Sequence, residues 1–276
     1  AVGGVIYITT KKQSLGHKFF ADFFVKTFFN FDFPVDSVGH SFNYSGQITE
    51  NSFLRASSKI GLANNKYWFK DYKKEFSVRN NSEVFDFHNN LNFSHYFGNG
   101  NCFSISDLFY LGNKNTAGTE TSKDFGLQKD LNNILTLNFI FPEIKNAFKL
   151  QTNVSWLNNN RNFTDSDENS KHFVNTIKFN VLGDLYYFEK YSQAVGLTFE
   201  FTNLDSTDDG RHVQFKGTIK ETSTFRISNW FSVVIPLGFT FCNKNIAFVP
   251  KLGTKFSFTK CELLINCYRM VQFPNM

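Results

Sequence analysis

The residues with chemistry to offer are six histidines, four cysteines and two acidic runs, and their spacing assembles no familiar reaction centre. His17, His40, His88, His95, His172 and His212 are scattered. Cys102, Cys242, Cys261 and Cys267 lack the CxxC spacing and nearby His pattern of a zinc site. Cys261 and Cys267 share one register of a strand, ~20 Å apart at ~3.3 Å per residue, too far to join each other. A serine hydrolase needs Ser, His and an oxyanion amide at one point, and no GxSxG, HExxH or phosphate-loop pattern occurs. The run TDSDENS (164–170) offers Asp165, Asp167 and Glu168 but lacks the glycine and distal glutamate of a calcium loop. In DSTDDG (205–210) the Asp-Gly pair suits a turn. The residues point to no enzyme, no metal and no cofactor.

Two other stretches suit the gathering of a ligand. In NNKYWFKDYKKEF (64–76), Tyr67, Trp68, Phe69 and Tyr72 interleave with Lys66, Lys70, Lys73 and Lys74. Aromatic faces mixed with cations suit an anionic or aromatic ligand, and equally an interface girdle or an extended hairpin. WLNNNRNF (156–163) sets Arg161 beside Asn158, Asn159 and Asn160. Tyr67, Trp68, Tyr72, Asn159 and Arg161 are the candidate ligand contacts, expected on external loops.

The elements that must carry them alternate by parity. In FDFHNNLNF (85–93), Phe85, Phe87, Leu91 and Phe93 share one register while Asp86, His88, Asn90 and Asn92 share the other. A strand sends alternate side chains to opposite faces, so one face is oily and the other wet. The pattern recurs about thirteen times, for example in Leu135, Leu137, Phe139 and Phe141, in Phe173, Ile177, Phe179 and Val181, and in Phe231 through Phe241. Lys149, Gln151, Asn153 and Ser155 illustrate the opposite register; Phe20, Phe24 and Phe28 break the rule on the first strand.

Composition agrees. The 276 residues are 41% hydrophobic with 37 Phe and only 5 Pro, and no apolar run approaches the ~18 residues of a transmembrane helix. The net charge of +5 is scattered, with no basic tract for nucleic acid. Short connections (49–51, 98–101, 142–146, 188–192, 228–229, 259–260) alternate with mostly longer ones (30–36, 66–82, 114–124, 159–170, 205–211, 242–246). Outer-membrane barrels have that asymmetry, and many of the strands reach the ~9–11 residues that cross a bilayer at a tilt. A soluble antiparallel sandwich also alternates, but its strands are typically five or six residues long. The expected fold is an all-β antiparallel transmembrane barrel with lipid outside and water or a plug inside.

Both ends carry landmarks. AVGGVIYITTKK (1–12) resembles the GGVINIITK end of the plug domain in TonB-dependent outer-membrane receptors, just before their first barrel strand. FVPKLGTKFSFTKCELLINCYRMVQFPNM (248–276) resembles their mid-barrel hairpin, with Pro250, Gly253, Phe256, Leu263, Tyr268, Arg269, Phe273 and Pro274 in place; Met270 and Gln272 depart from it. The resemblance implies that residues 1–15 end a plug and that 16–276 form the first thirteen or so strands of a barrel of about 22. The chain then reads as part of a longer protein whose edges need further strands. It also implies uptake of a scarce nutrient (siderophore, haem, cobalamin or similar) across the outer membrane of a didermic bacterium. Its partners are outer-membrane lipid, a small-molecule or metal-chelate ligand and, through the plug, the TonB–ExbB–ExbD complex. A passive porin, a soluble all-β binding protein and a barrel-embedded hydrolase are the alternatives.

Overall fold

Aromatic and aliphatic residues alternating with Ser, Thr and Asn satisfy a pleated strand that meets different media on its two faces. The computed structural model describes residues 16–27, 35–71, 73–116, 126–144, 148–167, 169–188, 190–258, 261–269, 271 and 273, and these are all-β. The strands are β1 (Lys18–Lys26), β2 (Ser37–Thr49), β3 (Ser52–Ala63), β4 (Tyr67–Lys70), β5 (Phe76–Arg79), β6 (Val84–Tyr96), β7 (Cys102–Thr116) and β8 (Gly126–Ile144). They continue as β9 (Phe148–Thr164), β10 (Asn169–Phe188), β11 (Tyr191–Ser206), β12 (Gly210–Arg226), β13 (Phe231–Cys242), β14 (Asn245–Phe248), β15 (Lys251–Ser257) and β16 (Glu262–Tyr268). One antiparallel sheet runs in the order β1-β2-β3-β6-β7-β8-β9-β10-β11-β12-β13-β15-β16, with β14 paired to β13; β4 and β5 form a separate hairpin. Among the described residues β1 and β16 each have one neighbour, so the sheet is open.

Register carries the parity of each strand into the next. One cross-strand row reads Phe19, Tyr44, Ala56, Leu91, Asp107, Leu135, Trp156, Ile177, Phe201 and Phe215. A slip of one residue anywhere would flip a whole strand. The oily face carries cross-strand aromatic pairs such as Phe103–Phe139 at 4.9 Å and Phe231–Phe256 at 5.0 Å, worth about 0.2–1 kcal/mol each. Gly217 faces Phe241, whose ring occupies the space a Cβ would need. Trp156, midway along β9 where its oily register gives way to Asn158 and Asn160, donates its indole N–H to Asn175 Oδ1 at 2.5 Å, while Tyr191 and Trp230 stand at the short-turn end. Such amphipathic rings suit the two membrane interfaces.

Burial is inverted relative to a soluble globule. Ser94, Asp130, Thr176, Ser206, Gln214 and Cys242, all in the wet register, are buried. Phe23, Ile177, Phe201, Val213 and Phe239, in the oily register, are exposed on the isolated wall. That distribution argues against the soluble sandwich. Asp107 departs from the pattern: it lies in the oily row between Leu91 and Leu135, and its buried Oδ1 has no hydrogen-bond partner among the described residues.

Two expectations change. Residues expected in loops at 159–170 and 205–211 are largely strand, because β9 runs to Thr164, β10 starts at Asn169, β11 runs to Ser206 and β12 starts at Gly210. Arg161, registered opposite Asp130 and His172, keeps that ladder going. The stretch at 66–82 folds into the β4–β5 hairpin, one of the readings its residues allowed. Among the described residues the four cysteines are unbridged. The proposed plug end and Tyr72 lie outside the described residues.

Candidate functional site

The inner face below the long loops concentrates the polar chemistry. Its upper cross-strand row reads Gly39, Gly61, Asp86, Gly112, Asp130, Arg161, His172 and Ser206. Alternate glycines leave room for the ring and carboxylate beside them. A Cβ on Gly112 would meet the Tyr110 hydroxyl, and one on Gly61 would come within 2.8 Å of the Asp86 carboxylate. Asp130, 4% exposed, accepts from Arg161 Nε at 2.9 Å and from Gln128 Nε2 at 2.6 Å, with Lys114 Nζ at 4.0 Å. A buried carboxylate needs such donors to stay charged.

The next row toward mid-wall reads Ser41, Lys59, His88, Tyr110, Asn132 and Asn159. These strands enclose a concavity of about 430 Å³ lined by Ser41, Lys59, His88, Asn90, Tyr110 and Asn132. His88 packs against Tyr110 at 4.7 Å between ring centroids, and its Nε2 lies 3.4 Å from Asp86. Lys59 stands 5.7 Å above the Phe24 ring, so the apolar exception on β1 has a partner. Asn132 Oδ1 is buried without a hydrogen-bond partner among the described residues. A buried acceptor is costly when left unmet, while the cationic and hydroxyl groups lining the concavity suit a polar guest.

Where β10, β11 and β12 meet the rim, a Ser-His-Asp cluster forms that the sequence spacing did not announce. Ser206 Oγ lies 2.9 Å from His172 Nδ1, and Ser170 Oγ lies 2.8 Å from Nε2. Ser170 also donates to Asp208 Oδ2 at 2.8 Å. Ser206 Oγ accepts the Asp208 and Asp209 backbone N–H groups, both at 3.1 Å. The Ser170 and Thr207 hydroxyls, with His172, hold Asp208 below the usual carboxylate range. A triad needs its carboxylate on the imidazole nitrogen opposite the serine nucleophile. Here Asp208 shares Nε2 with Ser170, and Ser206, on the opposite nitrogen, is 5% exposed and holds two turn amides. The cluster ties a hairpin tip and presents no nucleophile.

Of the candidate ligand contacts, Asn159 and Arg161 sit two residues apart on the inner face of β9, within strand and not on a loop. Tyr67 opens β4, and Trp68 beside it is 45% exposed. The hairpin is tied at its tip by Asp71 Oδ1, which accepts the Lys73 and Glu75 N–H groups at 2.9 Å each, and Lys70 lies 5.2 Å over the exposed Phe76 ring. At its base Asn65 Nδ2 donates to Ser82 O at 2.9 Å, and Lys66 pairs with Glu83 at 3.5 Å. Neither β4 nor β5 touches β9, so the two groups are not brought together. Glycine spacing and the Asp130 opposite Arg161 were visible in the sequence only once register was known.

An oily outer face, a hydrated inner face and long antiparallel strands define a transmembrane β-barrel wall. No family model and no curated protein matches the sequence. Solved structures do match in fold. The siderophore receptor PirA of Pseudomonas aeruginosa superposes with a TM-score of 0.63 at 10% identity, covering 97% of this chain and 45% of its own. A variant of the ferric enterobactin receptor PfeA of the same organism gives 0.66 at 9% identity, covering 96% and 45%. The alcaligin outer-membrane receptor FauA of Bordetella pertussis gives 0.56 at 12%, covering 84% and 43%. The chain thus has the fold of an outer-membrane receptor barrel and spans a little under half the length of these receptors.

Proposed function

We propose that this chain is the wall of a TonB-dependent receptor that takes up a scarce nutrient, carried as a small molecule or metal chelate, across the outer membrane. The observation that carries the reading is the inner face. A concavity that sets Lys59, His88 and Tyr110 beside Leu108 and Ile134 lies beneath the long loops of a wall whose exterior suits lipid. In this reading residues 1–15 end the plug, which passes energy from TonB–ExbB–ExbD, and residues 16–276 form the barrel. Trp68 with Tyr67 and Tyr72 gathers ligand at the rim, and Asn159 and Arg161 meet it lower on the wall. The wall binds and guides; no bond is made or broken.

The experiment is uptake of radiolabelled ferric siderophores by cells carrying the intact gene, with and without a functional TonB. Accumulation that needs both the gene and TonB supports the proposal. Entry that is indifferent to TonB and linear in concentration contradicts it and indicates a passive pore.

A further inference from the structure

A second polar site lies farther along the wall, where the ladder is broken. β13 pairs with β15 from Phe231 to Val234 and with β14 from Phe239 to Cys242. Between them, at Ile235–Gly238, the partner strand stands off, and Val249 N–H reaches only the Gly238 carbonyl at 2.8 Å. Pro236 sits in this gap, where its missing N–H costs the ladder nothing. Breaks of this kind re-aim neighbouring side chains.

The gap opens a cavity of about 240 Å³ lined by Lys220, Lys251, Arg269, Thr218 and Thr240 among others. Three cations and two hydroxyls converge, and no carboxylate lines it. The adjacent Glu221 is in the oily register and accepts from Gln193 at 3.0 Å and from Ser223 at 2.5 Å. Two other inner-face cations have acidic partners, Lys178 with Glu200 at 2.7 Å and Lys255 with Glu262 at 2.8 Å. Among the described residues Lys220 and Arg269 have no carboxylate within ion-pair reach.

We infer that this break is a binding site for an oxyanion, a carboxylate or phosphate group held by Lys220, Lys251 and Arg269. It rests on the receptor reading only in naming the two sources of that group: a diffusible anionic ligand in the lumen, or an acidic side chain of protein seated there. Cations meeting an oxyanion form short, charge-assisted bonds that weaken as salt rises.

The test is calorimetric titration of the intact protein, purified from the outer membrane into lipid nanodiscs, with inorganic phosphate and separately with citrate. In parallel, carbodiimide cross-linking of the protein in its native outer membrane, mapped by mass spectrometry, looks for a bond from Lys220 or Lys251 to a carboxylate. Binding that falls about tenfold in Lys220→Gln and in Arg269→Gln, but not in Lys149→Gln, supports the site with a diffusible source. A cross-link to an acidic residue of a lumenal protein segment supports it with an internal source. No binding together with no cross-link, or binding equally reduced in Lys149→Gln, overturns it. None of these readouts depends on uptake, so the transport proposal stands or falls separately.

Discussion

Arg161 Nε lies 2.9 Å from Asp130 Oδ1, directly across the β8–β9 ladder, and the two partners are buried very differently. Asp130 is 5% exposed at the side chain and Arg161 is 55% exposed. The carboxylate therefore depends on the pair far more than the guanidinium does.

Arg161→Ala should destabilise the refolded wall by about 1–3 kcal/mol, because the carboxylate keeps Gln128 but loses its charged donor. Asp130→Asn should cost less, since Arg161 can turn to water. Denaturant unfolding of the double variant Arg161→Ala/Asp130→Asn should show it more stable than Arg161→Ala alone. Simple additivity would mean that Asp130 does not need Arg161.

Asp107 breaks the oily row between Leu91 and Leu135. A lipid-facing carboxylate is costly, so Asp107→Leu should stabilise the chain in a bilayer by about 1–2 kcal/mol. Unfolding in lipid vesicles measures this. A loss of stability instead would reveal a bilayer partner for Asp107.

Glu83 ties the base of the β4–β5 hairpin. The Asn115 side-chain N–H bonded to its carboxylate, helped by Lys66, holds it below its ordinary 4.5. A carboxyl depressed in the folded state adds stability that is complete above that ordinary value and is lost as pH falls through the folded one. Hydrogen exchange at residues 64–83 should be flat above about pH 4.5 after correction for intrinsic rates, and faster below it. Glu83→Gln should abolish that acid dependence; an unchanged profile would remove Glu83 from the account.

The strands were legible because parity needs no knowledge of partners: Phe85, Phe87, Leu91 and Phe93 announce a face by themselves. Strand ends were less so, because polar residues such as Asn160 and Asn162 read as loop until register places them opposite Phe173 and Lys171. The His172 cluster was hidden for the same reason: Ser206 is 34 residues away, and only the β10–β11 ladder joins them. Asp107 was passed over because its neighbours Ile105 and Phe109 carry the pattern without it. The anion site depends on a ladder break at Ile235–Gly238, and a lone proline in an oily run does not say which way the wall opens.

The division of the wall into a lipid face and a water face is tested most directly by spin labels. They would be placed at Phe87, Phe179, Phe239, Asn90 and Lys216 in the intact, reconstituted protein, with its cysteines, Cys102, Cys242, Cys261 and Cys267 among them, replaced. Labels at the three phenylalanine positions should relax with oxygen, which concentrates in hydrocarbon, and those at Asn90 and Lys216 with a water-soluble nickel chelate. The reverse assignment, or nickel access at all five positions, would contradict the barrel.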